Sequence, residues 1–91
     1  MASRIEVTKI ADTEFLVRVI EDASESSHRV TLRPDDVQRI AGGEVGPIEL
    51  IRRSFEFLLE REPKESILAQ FDLHVIGRYF PEYEREIRRR F

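Results

Sequence analysis

"PIELIRRSFEFLLER", residues 47–61, is the stretch that decides the fold of this chain. Pro47 suits the first position of a helix, and the apolar residues after it follow helical spacing. At 3.6 residues per turn, one face carries Ile48, Ile51, Phe55, Leu58 and Leu59, and an adjoining face carries Leu50 and Phe57. This apolar arc is wider than a surface helix needs. We therefore predict a central helix covered twice, by a sheet on one side and by the C-terminal segment on the other.

The residues before this helix predict a three-stranded antiparallel meander. In "RIEVTKIADTEFLVRVIED", residues 4–22, two runs of β-type alternation flank a turn near Asp12. The second run is apolar on both faces, so we predict that it is the central strand. "EDASESS", residues 21–27, reads as a polar loop, and "HRVTL", residues 28–32, as the third strand with its histidine on the apolar face.

Short helices fill the rest of the predicted fold. Pro34 begins the helix "PDDVQRIA", which two glycines end. After the central helix, Pro63 begins the turn "PKESILAQ", Asp72 is the predicted N-cap of "LHVIGRYF", and Pro81 begins "PEYEREIRRRF". Strands first and helices afterwards predict an α+β fold: a three-stranded antiparallel meander packed on a long central helix, with shorter C-terminal helices.

The length of the chain predicts one domain over residues 1–91, with the β-meander in 1–33 and the helical part in 34–91. Cysteine is absent, which excludes disulfides, thiolate zinc sites and a cysteine nucleophile. The net charge of −3 disfavours a dedicated nucleic-acid binder. The N-terminal residues have no apolar signal core, and no apolar run approaches the roughly 18 residues of a membrane span. We therefore expect a cytoplasmic protein without membrane contact.

A helix-turn-helix motif is the first candidate in "SILAQFDLHVIGRYF", residues 66–80, but its spacing fails. If Leu73 is the apolar residue of the turn, Arg78 falls at a position that should be buried, and the turn has no glycine. The alternative is that the apolar residues of this stretch pack back on the central helix.

Catalytic and metal-binding patterns are equally weak. His28 and His74 lie far apart in sequence and have no metal-type partner at helical or strand spacing. The serines before His28 lack the strand-turn-helix elbow of an exposed nucleophile, and Asp35 and Asp36 are explained as helix N-terminal acids. We predict no catalytic residue, no metal ligand, no bound cofactor and no small-molecule substrate.

The candidate partner-binding residues lie in the C-terminal part, where seven of the eight aromatic residues fall. They are Arg78, Tyr79, Tyr83, Arg88, Arg89 and Arg90. Tyrosine and arginine are enriched at interfaces, so we expect the first three to reach the surface, although Tyr83 could instead pack inward. For the three terminal arginines, pairing with Glu84 and Glu86 on their own helix is the alternative to phosphate binding.

"SFEFLLEREPKESILAQFDLHVIGRYFPEY", residues 54–83, resembles a recurring segment in a family of small prokaryotic proteins that has no assigned function. The resemblance covers about a third of the chain and implies a free-standing bacterial or archaeal protein. It carries no activity and no site residue over to this chain.

These observations lead to a non-enzymatic small protein that acts by protein–protein association, and homodimerisation is compatible with it. The alternative is a nucleic-acid-associated regulator of antitoxin type that uses the Arg-rich C-terminal helix, with binding that weakens steeply as salt is added. An enzyme ranks third, because it would require a concave pocket with convergent polar groups.

Overall fold

The computed structural model describes residues 3–43 and 45–91, and it confirms the α+β class. Its sheet consists of β1 (Arg4–Ala11), β2 (Glu14–Glu21), β3 (Ser24–Thr31) and β4 (Gln70–Asp72), in the order β1-β2-β3-β4. The α-helices are α1 (Pro34–Ala41), α2 (Pro47–Leu59), α3 (Ile76–Tyr79) and α4 (Tyr83–Arg88). Two short 3-10 turns occupy Lys64–Ser66 and Leu73–Val75.

The sheet is mixed and four-stranded, so the prediction of a three-stranded meander was incomplete. The first three strands are antiparallel as predicted, whereas β4 pairs parallel to β3, with Gln70 opposite Arg29 and Asp72 opposite Thr31. A three-residue strand is too short to display alternation, and its preceding proline-led turn favours a helical assignment. Strand β4 therefore has no local signal in the sequence.

Strand β3 also begins earlier than predicted. Residues 24–27, assigned to a polar loop, continue the antiparallel ladder, with Ser26 opposite Val19 and Ser27 opposite Arg18. The turn between β2 and β3 is thus shorter than expected. These serines lie at the end of the sheet, where polar side chains are not excluded by burial.

Strand β2 lies between β1 and β3, as its two apolar faces predicted. Its core face is fully buried and consists of Phe15, Val17 and Val19. On the opposite face Leu16 and Ile20 are half-buried, next to ion-paired side chains such as Arg18, which contacts Glu6 at 3.1 Å. The outer face of the sheet is therefore largely a charged surface.

Helix α2 has 13 residues and is covered on two sides, in agreement with its apolar arc. Toward the sheet, the Phe55 ring lies 5.3 Å from the His28 ring and 6.0 Å from that of Phe71. Toward the C-terminus, the Phe57 ring lies 5.4 Å from the ring of Tyr83. One predicted member of the apolar face, Ile48, is 40% exposed because it lies in the first turn of the helix.

Candidate protein-binding surface

An apolar groove of about 330 Å³ lies between the end of α2, the segment before β4, and α3. We call it the Tyr79 groove. It is lined by Leu58, Glu62, Ser66, Ile67, Leu68, Phe71, Val75, Ile76, Tyr79 and Phe80. Eight of these ten residues are apolar or aromatic, which is the composition of a ligand- or partner-binding cleft.

Two exposed apolar side chains stand at this groove. Tyr79 is 66% exposed and Leu68 is 48% exposed, whereas the neighbouring Ile67 and Ile76 are buried. Large hydrophobic side chains that remain in water beside a buried apolar floor are typical of an interaction site. Ile10, which is 44% exposed, does not line this groove.

The segment that forms one wall of the groove is held by His28. The Nδ1 atom of His28 lies 2.8 Å from the Leu68 carbonyl oxygen, and Nε2 lies 2.7 Å from the Ser26 hydroxyl. Because the carbonyl can only accept, Nδ1 carries the proton, and in the neutral ring Nε2 accepts from Ser26. A buried side chain thus joins β3 to a residue 40 positions away.

Lys64 anchors the same segment at its other end. Its side chain is 3% exposed, and its ammonium group contacts Glu21 of β2 at 3.1 Å and also Glu65. Hydrogen bonding to Glu65 and then to Glu21 raises the pKa of Lys64, and the bond from Lys64 lowers the pKa of Glu21. The charge of Lys64 is therefore paired within the chain. The segment 64–68 is attached to the sheet at two points, through Lys64 and through the Leu68 carbonyl.

Glu62 and Arg78 differ from this pattern of paired charges. Glu62 lines the groove, and Arg78 lies on the exposed flank of α3 between Gly77 and Tyr79. Within residues 3–43 and 45–91, neither side chain forms a hydrogen bond or an ion pair. Most arginines of the described chain are, by contrast, paired with a carboxylate, which makes these two groups available to a partner.

Of the predicted binding residues, Arg78 and Tyr79 are exposed, but the expectation that Tyr83 reaches the surface was wrong. Tyr83 is fully buried against α2, and its hydroxyl lies 2.6 Å from the Ser54 hydroxyl, which in turn donates to the Leu50 carbonyl at 2.7 Å. Burial raises the pKa of Tyr83 above its ordinary value, since it disfavours the phenolate. Ser54 gives the phenol a polar partner in the core, which is why tyrosine is tolerated there.

The terminal arginines lie outside the Tyr79 groove and are engaged elsewhere. Arg88 donates to the carbonyl oxygens of Ile40 at 3.0 Å and Arg39 at 2.6 Å, at the end of α1. Arg90 contacts Glu60 through both terminal nitrogens, at 2.9 and 2.6 Å.

Arg89 lies 3.3 Å from Glu86. The predicted pairs of Glu84 with Arg88 and of Glu86 with Arg90 are absent from the described residues, because α4 ends at Arg88 and its arginines turn toward α1 and α2. Glu84 contacts Arg39 instead. The six predicted residues therefore do not form one exposed surface.

Sequence reasoning missed the Ser26–His28 pair, because it placed Ser26 in a loop. In β3 the two residues are two apart and share one face of the strand, so that their side chains are neighbours. Neither residue lines either of the two cavities found in the described chain. Their hydrogen bonds to each other and to Leu68 give the pair a structural role.

Other site types have less support. The second cavity, of about 420 Å³, is a shallow depression beside β1, lined by Ser3, Ile5, Arg52, Glu56, Leu59 and Glu60. Among the described residues, His, Asp and Glu side chains gather nowhere in a group of three that could hold a metal ion.

Comparison of the chain with protein-family profiles, with curated proteins and with solved structures finds no match. In the described ranges, each helix is too short or too polar to cross a membrane.

Proposed function

We propose that this protein acts without catalysis, by binding another polypeptide through the Tyr79 groove. The observation that carries the proposal is the placement of the exposed Tyr79 and Leu68 side chains at the rim of an apolar groove of about 330 Å³. Burying such side chains against a partner is favourable by about 25 cal/mol per Å² of apolar area, before the cost of association.

The composition of the rim also favours a protein partner. Tyr79 and the adjacent Arg78 belong to two of the three residue types that are enriched among the side chains dominating binding energy in interfaces. A tyrosine offers a large rigid apolar surface with one polar end, and an arginine offers up to five donors. A polypeptide that brings an apolar side chain and a nearby carboxylate would satisfy both the groove and Arg78.

Other surfaces of the described chain supply weaker binding features. The outer face of the sheet carries carboxylate–guanidinium pairs, including the contact of Arg18 with Glu25 at 2.9 Å. The arginines expected to bind nucleic acid are occupied, since Arg88 holds two backbone carbonyls and Arg90 holds Glu60. A nucleic-acid partner would have to displace these contacts, so we rank that function below protein binding.

A peptide-library selection against the purified protein tests this proposal. We expect enriched peptides with a bulky apolar residue close to Asp or Glu, and we expect Leu68→Glu to weaken their binding at least about tenfold. The matched control is Ile10→Glu, because Ile10 is 44% exposed and Leu68 is 48% exposed. The proposal is wrong if no peptide is enriched, or if Ile10→Glu and Leu68→Glu weaken binding equally.

A further inference from the structure

We infer that the polypeptide recognised by the Tyr79 groove is a second copy of this chain, related by a two-fold axis. This inference rests on the proposed function, since it names the partner of the same surface. Two-fold pairing requires a surface that is complementary to itself, so that each contact occurs twice.

The first observation is that the projecting side chain and the depression are neighbours. Tyr79 is 66% exposed, the largest exposed fraction among the large hydrophobic residues of the described chain, and it lines the groove itself. In a two-fold arrangement, Tyr79 of each copy can lie against the Leu68 and Phe71 wall of the other copy. Each copy thereby covers the apolar surface that its partner leaves in water.

The second observation is the charge complementarity of the groove with itself. Glu62 lines the groove, and Arg78 is exposed and precedes the groove residue Tyr79 in α3. The two groups carry opposite charges and have no side-chain partner in residues 3–43 and 45–91. When two copies face each other in opposite directions, Arg78 of each copy can approach Glu62 of the other, which gives two ion pairs. A partner of one charge sign would satisfy only one of the two groups.

The edge of the sheet at β1 is a competing surface for self-association, because β4 at the other edge has only three residues, and the residues of β1 disfavour it. On β1, Lys9 stands opposite Phe15 and hence on the core-facing side, and the register shifts between Lys9 and Ala11. A lysine on an edge strand and a bulge are features that disfavour pairing of that strand with another chain.

The expected dimer is weak. A stable interface buries about 800 Å² on each partner, roughly 15% of the 5441 Å² accessible surface of this chain. The groove alone supplies part of that area, and both copies carry a net charge of −3, which opposes association. We therefore expect a dissociation constant on the order of 1–100 µM.

Sedimentation equilibrium from about 1 µM to about 1 mM tests the inference. We expect a monomer–dimer equilibrium that Leu68→Glu weakens at least about tenfold. Arg78→Glu should weaken it similarly, whereas Ile10→Glu and Arg85→Glu should not. Arg85 is a suitable control because it is exposed and has no side-chain contact within the described residues. Thermal unfolding by circular dichroism verifies that each variant is folded.

A charge exchange makes the test specific for a self-complementary interface. Glu62→Arg and Arg78→Glu should each weaken the dimer about tenfold, and the double variant should recover most of the loss because the two pairs re-form with reversed polarity. A second measurement mixes the two single variants, which should form a heterodimer with two ion pairs, one of native polarity and one reversed.

The inference is overturned if the wild-type protein stays monomeric at about 1 mM, if Ile10→Glu dissociates the dimer, or if the double variant shows no recovery. A monomer that still binds selected peptides in the groove would leave the proposed function intact and overturn only self-association. Absence of both peptide binding and dimerisation would overturn both.

Discussion

Tyr79 and Tyr83 lie four residues apart, yet one is 66% exposed and the other is fully buried. Tyr79 ends α3 beside the groove, whereas Tyr83 begins α4 and inserts against α2. The difference between them follows from their neighbours: Ser54 offers a hydroxyl to the Tyr83 phenol inside the core, and the Tyr79 ring faces water. Two tyrosines that look equivalent in sequence therefore separate into a core-packing residue and an exposed residue, for which we propose a binding role.

The same division extends to arginines near the two tyrosines. Arg78, next to Tyr79, has no side-chain partner in the described residues, while Arg88 and Arg90 hold α4 to α1 and α2. An arginine cluster in sequence is thus not a charged surface when its donors reach backbone carbonyls and carboxylates of the same molecule. The region around α3 is available for partners, and the region around α4 completes the fold.

The largest expected effect that distinguishes the two regions is on stability. Tyr83→Ala should lower the free energy of unfolding by about 3–5 kcal/mol, because a buried aromatic ring leaves a cavity against Phe57. Tyr79→Ala, the matched variant, should change it by less than about 0.5 kcal/mol. Urea unfolding followed by circular dichroism measures both. Equal losses in the two variants would show that Tyr79 and Tyr83 do not differ in their contribution to the stability of the fold.

A smaller effect is expected at the arginines. Arg88→Met should cost about 1–2 kcal/mol, since it removes charged hydrogen bonds to the last carbonyls of α1 while keeping an apolar side chain. Arg89→Met should cost less than about 0.5 kcal/mol, because Arg89 makes an exposed contact with Glu86. The denaturation midpoints of the two variants give the comparison, and a smaller loss for Arg88→Met than for Arg89→Met would contradict it.

The smallest expected effect is on the stability of the folded protein at acidic pH. The bond from Arg90 lowers the pKa of Glu60 in the folded protein below its ordinary 4.5. A carboxylate with a depressed pKa in the folded state stabilises it fully above the ordinary value, and this contribution is lost as the pH falls through the lower value. Arg90→Gln should therefore lose less stability than the wild type on acidification from about pH 5.

The measurement is the melting temperature at a series of pH values from 7 to 3. This range extends roughly one unit or more above and below the ordinary pKa of a carboxylate. Arg89→Gln is the control, since it leaves the contact between Arg90 and Glu60 in place. If Arg90→Gln and the wild type lose stability equally on acidification, the ion pair between Arg90 and Glu60 does not stabilise the packing of the C-terminal residues.

Much of the fold could be predicted because its signals are local. The bounds of α1 match the predicted "PDDVQRIA", with Pro34 in the first turn and Gly42 at φ +70° ending the helix. The width of the apolar arc in α2 correctly required cover on two sides. Strand β4 could not be predicted, because its identity depends on hydrogen bonds to β3, distant in sequence.

The candidate site was predictable only in part, for the same physical reason. Exposure of Arg78 and Tyr79 followed from residue type, but burial of Tyr83 depends on Ser54, which lies 29 residues earlier and reaches it through the tertiary fold. The groove itself requires α2, the β4 segment and α3 to meet. Leu68 and Phe71 form its wall, and nothing in the sequence besides their hydrophobicity indicates this position.

The parallel pairing of β4 with β3 has a consequence for the order of folding. Antiparallel β1–β3 need only short turns, whereas the Arg29–Gln70 contact and the bond of His28 to Leu68 close a loop of about 40 residues. Loop-closure entropy places such contacts late, after the hairpins and α2 have formed. We therefore expect the wall of the Tyr79 groove to be among the last parts of the fold to assemble.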